Sequence, residues 1–205
     1  MSEFYVPDGA RDNLPLVRVR EESVEELGLV KVEYDGLEEM FRRDLHVPVS
    51  HRPVVELTDR TSGAAGKCGI ISKDVKVNPQ KARDYFGKDG LAQVLLHEGT
   101  HLADLLDDPV KWYGFLALTR GVVLGSAYFA GKYGYDASTT DHILAAGIIG
   151  AAEFSVANSF IYKHSPFENR ARQSQTNEDL IEKYRNVITF PGLSVPSRPV
   201  ASLQV

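Results

Sequence analysis

The sequence predicts an α+β fold: a small N-terminal β-containing part (residues 1–87), a mainly helical part (88–190) and a flexible tail (191–205). Three observations carry this expectation. Short valine-rich stretches with alternating polarity all fall before residue 78. A proline-free amphipathic stretch runs from Gly90 to Leu106, with Leu91, Val94, Leu95, Leu102, Leu105 and Leu106 on its apolar stripe. Two further apolar stretches, 112–131 and 142–162, precede a last amphipathic segment. The 205 residues are 43% hydrophobic and 25% charged, enough chain and enough apolar matter for a core without staples.

The elements follow in order. Residues 1–13 are polar and read as a loose arm, with no basic region and apolar run of a signal peptide, so the expected compartment is the cytoplasm. Leu14–Arg20 and Gly28–Tyr34 alternate like half-buried strands. Asp35 can cap a short helix through Leu45, with Leu37, Met40, Phe41 and Leu45 on one face. Pro48 and Pro53 mark a loop before a strand at Val54–Thr58. Lys67–Asn78 reads as one bent strand or a tight hairpin. Asn78 and Pro79 then form a helix start, Gly87 interrupts that helix, and Asp89 can cap the next one, Gly90–Leu106. The final helix is expected from about Pro166 to Arg185.

Composition excludes several classes of function. A single cysteine, Cys68, rules out an intrachain disulfide and a cysteine-built zinc finger; it reads as an ordinary thiol. The net charge of −5 argues against a nucleic-acid partner held by broad electrostatics. That charge is uneven, with 12 acidic and 6 basic residues in the first 45 positions against 16 and 17 in the rest. The six histidines are then the informative residues.

Two of them lie in His97-Glu98-Gly99-Thr100-His101, an H-E-x-x-H pentad inside the long helix. Residues four apart project from one helix face, so both imidazoles can reach one metal ion. Glu98 then stands where a carboxylate can take a proton from water beside that ion. Chance would supply only about 0.01 such pentads in a chain of this composition. Two neutral imidazoles with one carboxylate suit Zn²⁺. Asp104, three residues after His101 and seven after His97, shares the ligand face, where a carboxylate can accept the distal N–H of a metal-bound imidazole. His46 and His51, in a proline-rich loop, read as structural.

The third ligand separates the families. A metzincin arrangement would use Asp107, but it needs a glycine where this chain has Asp104, and a later methionine where none follows Met40. The segment Ser165-Pro166-Phe167-Glu168-Asn169-Arg170-Ala171-Arg172 supplies a downstream E-x-x-A. Together with H-E-x-x-H it resembles the gluzincin group of zinc metallopeptidases over the span from His97 to Arg172. That resemblance implies a zincin-like domain, Zn²⁺ held by His97, His101 and Glu168, and Glu98 as general base of a metalloendopeptidase acting on a peptide or protein substrate. It also implies that Ala171 lets the second helix pack closely. A transition-state donor would come from His142, Tyr162, His164 or Arg170, with His164 and Arg170 preferred because they flank Glu168. Such enzymes hold their substrate as an added strand, and Gly66–Val77 is the expected edge. Where the group carries Asp or Asn after the alanine, this chain has Arg172.

The sequence also accommodates other assignments. Glu153, alone in an apolar run, is a second candidate ligand or the partner of Arg120. The stretches 112–131 and 142–162 form either a buried helical hairpin or a membrane-associated one. The competing function is a non-catalytic zinc-binding or membrane-associated scaffold that keeps a zincin-like fold, and a third is hydrolysis of a non-peptide amide.

Overall fold

The structure, a computed structural model of the chain, describes residues 3–5, 14–19, 31–61, 63–115, 117 and 163–190. The chain divides into two compact units, one of Met1–Asp107 with Arg170–Val205 and the other of Asp108–Asn169. The class is α+β, as the sequence predicts.

The first unit is built on five strands in the order β1-β2-β4-β6-β5: β1 (Glu3–Tyr5), β2 (Leu16–Val19), β4 (Val54–Leu57), β5 (Gly66–Cys68) and β6 (Val75–Val77). The inner strands β2, β4 and β6 run parallel, and the two edges β1 and β5 are antiparallel to their neighbours. The register aligns Val17 with Val55 and Val75, and Val19 with Leu57 and Val77. None of these six is more than 3% exposed, so the period-two alternation makes one sheet face the floor of the core. The opposite face carries the row Arg18, Glu56, Lys76, in which buried Glu56 is partnered by Lys76 Nζ at 3.3 Å. A separate two-stranded pair joins β3 (Lys31–Val32) to β7 (Ile188–Thr189).

Helix α1 (Tyr34–Glu39) passes into a π-helical turn, Met40–Asp44, and buries Leu37, Met40 and Phe41 in the core. Leu45 closes the turn and His46 follows at φ 60°. The guanidinium of Arg42 donates to the carbonyls of Val47, Pro48 and His51, holding the proline loop. His51 Nε2 in turn donates to the Lys73 carbonyl at 3.1 Å. Residues 66–77 form a hairpin, with Cys68 opposite Val75 and the Gly69 N–H bonded to the Asp74 carbonyl.

Helix α2 (Pro79–Phe86) begins as its sequence predicts: the Asn78 side chain accepts from Lys81 N at 2.9 Å, with proline in the first turn. It ends at Gly87, whose φ of 74° favours glycine. A 3₁₀ turn, Gly87–Asp89, leads into α3 (Gly90–Asp107), so Asp89 lies in that turn and pairs with Arg185 Nε at 3.5 Å.

Two expectations are corrected. Residues 3–5 are not part of a loose arm but form the edge strand β1, because pairing with β2 satisfies backbone groups that no side-chain pattern advertises. The segment 166–185 is not one helix. It is α4 (Pro166–Gln175) and α5 (Glu178–Tyr184), because the Asn177 side chain accepts from Leu180 N and restarts the helix.

In the second unit, Asp108 caps helical residues 109–115 by accepting from Lys111 N at 2.8 Å. Phe167 packs on Trp112 and Phe115, with ring centroids 4.5 and 5.6 Å away. Among the described residues no helix is long and apolar enough to cross a membrane. Of the two apolar stretches, only 112–115 and 117 are described. Arg120, His142, Glu153, Tyr162 and the tail 191–205 also lie outside the described residues.

Candidate metal centre

Helix α3 is buried on most of its circumference, with Leu95, Leu96 and Leu102 fully enclosed. That burial fixes its rotation and therefore the direction of its polar side chains. His97 and His101, one turn apart, stack edge-to-face with ring centroids 4.8 Å apart. His101 is 2% exposed and His97 half-buried. The helix continues unbroken through Asp104 to the exposed Asp107, with no chain reversal of the metzincin kind.

The start of α4 sets the place of Glu168. Ser165 Oγ accepts from the Glu168 N–H at 3.0 Å, and Pro166 fills the first helical position, so Glu168 is the third residue of the helix. A carboxylate there lies at the positive end of the helix dipole. Ser165 through Glu168 is also a capping-box pattern, a local signal that fixes the helix phase.

The metal-ligating atoms of His97, His101 and Glu168 all lie within 4.8 Å of one another. Donors bound to one zinc ion at ~2.0–2.2 Å stand about 3.4 Å apart, so movements of under about 1 Å per side chain would close this group on an ion. Two imidazole nitrogens and one carboxylate oxygen, converging from two helices in a largely buried setting, form a donor set that fits a divalent transition metal. His101 and Glu168 are the buried members of that set.

Glu98 is buried and faces the sheet edge. A Cβ placed on Gly66 of β5 would come within 2.7 Å of Glu98 Cγ and 2.9 Å of its Oε1. The edge strand therefore touches the carboxylate through bare backbone. Cys68, two residues along β5, has its thiol pushed far up by burial, assisted by the Glu98 and Asp74 carboxylates, and it stays protonated.

Asp104 and Arg170 meet directly: Arg170 Nη1 lies 2.5 Å from Asp104 Oδ1. Burial pushes the Asp104 carboxyl above its ordinary value, outweighing the opposing pull of Arg170 and His101. Its second oxygen, Oδ2, is buried without a hydrogen bond among the described residues. Nothing in the sequence pairs these residues, which are 66 positions apart. His164 is exposed, just before the cap of α4.

The long helix and the H-E-x-x-H spacing were the signals that located this group. The approach of Gly66 to Glu98 joins a strand and a helix 32 positions apart, which local patterns do not register. No family model matches the chain, and neither a curated protein nor a solved structure does.

Proposed function

We propose that this protein is a zinc-dependent metalloendopeptidase of the gluzincin type, with a single zincin-like domain over residues 1–190. The observation that carries this reading is the convergence of His97, His101 and Glu168 within 4.8 Å, with buried Glu98 on the same helix. In it, His97, His101 and Glu168 hold the ion. The chemistry supplied by bound Zn²⁺ is Lewis acidity toward water and a peptide carbonyl.

The chain's own residues do the rest. Glu98 accepts the proton of the attacking water and delivers it to the departing amine. Its place beside the two histidines on α3 supports this role. Among the described residues β5 is an edge strand, and a substrate laid along it as a further strand would pass Glu98 at Gly66. This supports the β5 part of the expected Gly66–Val77 segment as the substrate edge, whereas Val75–Val77 is an inner strand.

Glu98→Gln tests the assignment. It keeps the shape of the side chain and all three proposed ligands while removing the base. The expected outcome is full metal content with peptide hydrolysis reduced by at least about 100-fold. A variant as active as wild type, or a wild-type chain that binds metal but cleaves no peptide in a diverse library, would count against catalysis and favour a zinc-binding scaffold.

A further inference from the structure

The geometry points to the Asp104–Arg170 ion pair as a latch that positions Glu168 for metal binding; this rests on the metal-site reading above. Asp104 lies on the α3 stripe that carries both histidines, seven residues after His97 and three after His101. At 100° per residue it is rotated only about 20° from His97 and 60° from His101. Arg170 lies on α4, the helix that carries Glu168, two residues further on and about 200° around the axis. Between those directions lies Ala171, which is fully buried. Glu168 and Arg170 therefore flank the buried stripe of α4 on opposite sides. Pinning one flank to Asp104 fixes the roll of the helix and so the direction in which Glu168 points.

The burial of Asp104 explains why the pair can act as a latch. The Asp104 side chain is 3% exposed and that of Arg170 is 56% exposed. A buried carboxylate is unfavourable without its counter-ion, and among the described residues its other oxygen has no hydrogen bond to compensate. Seating α4 supplies the guanidinium, so the helix is held before any ion arrives. The third ligand is then ordered during folding instead of during metal binding, and affinity gains accordingly. Arg170 and Asp104 are positioning residues in this account. Neither is required to touch substrate.

The test is Zn²⁺ affinity of the full chain, measured by competition with a chromogenic chelator. Arg170→Gln and Asp104→Asn are each expected to weaken binding by about 10- to 100-fold. Arg170→Lys, which keeps the charge, recovers most of that loss. The double variant loses no more than the worse single one, because the two residues act as a unit. Lys183→Gln is the control: it breaks surface ion pairs to Asp44 and Glu39 and leaves Zn²⁺ affinity unchanged. Should Arg170→Gln fail to fold, the near-isosteric Asp104→Asn decides. Wild type that binds Zn²⁺ while Arg170→Gln or Asp104→Asn binds it equally well overturns the latch alone. Additive losses in the double variant also overturn it. A wild-type chain that takes up no metal overturns the metal-site reading, and the latch with it.

Discussion

Gly66 of the edge strand lies against Glu98 of α3 so closely that a Cβ on the glycine would fall 2.7 Å from Glu98 Cγ. The same Cβ would also strike Val94, one turn earlier on that helix. The strand meets the helix side chains through bare backbone, and the carboxylate is confined by the strand it faces. Gly66→Ala is therefore expected to displace Glu98 without touching His97, His101 or Glu168. Peptide hydrolysis should fall by about 10-fold or more, while metal content stays at the wild-type level. Paired assays of bound zinc and turnover check this, and loss of metal together with activity would show that the glycine serves packing alone.

Gly99, inside the H-E-x-x-H pentad, offers a second test of close approach. On propensity alone, alanine there would favour the helix by about 1 kcal/mol. In the structure, its Cβ would lie 2.5 Å from Leu45 Cδ1 and 3.2 Å from Phe41 Cε1, both in the core. Overpacking of this kind costs about 1–3 kcal/mol, so Gly99→Ala is expected to be net destabilising. Equilibrium denaturant unfolding measures the sign directly.

A third expectation concerns acid stability. Tyr184 Oη donates to Asp44 Oδ2 at 2.5 Å, and Lys183 Nζ lies 2.9 Å from the same oxygen, joining α5 to the π-helical turn. Burial alone would raise the Asp44 carboxyl, but the hydrogen bonds from Tyr184 and Lys183 outweigh it and hold its pKa below the ordinary value. Tyr184 is pushed up to about 12, by burial first and then by Asp44, and so remains a donor throughout. A depressed carboxylate adds stability that is present above its unfolded pKa and is lost as pH falls through the folded one. Tyr184→Phe should therefore cost about 1 kcal/mol at neutral pH and progressively less below about pH 4. Thermal unfolding of the two proteins across that range checks the sign; a gap that widens in acid would refute it.

Much of this architecture was legible because its signals are local. Asn78 followed by Pro79 names a helix start, valines two apart name a half-buried strand, and His97 and His101 four apart on a proline-free helix name a shared face. What was not legible depends on partners distant in the chain. β1 exists through its pairing with β2, and no alternation in residues 3–5 announces it. The break at Asn177 reflects competition between a side-chain cap and continuation of the helix, which apolar spacing does not register. Asp104 was expected to face an imidazole; its ion pair with Arg170, 66 positions further along the chain, depends on the docking of a later helix and had no local signal. Gly99 reads as a weak point in sequence and proves to be the room that Leu45 requires.

The central claim is that His97, His101 and Glu168 hold one metal ion, and metal content is its most direct measure. Purified wild-type chain, loaded with Zn²⁺ and freed of excess, is expected to carry about one equivalent. His97→Ala and Glu168→Ala should each retain little of it under the same washing, with secondary structure preserved by circular dichroism. Glu168→Ala that keeps a full equivalent with undiminished affinity, or wild type that carries none, would contradict the account.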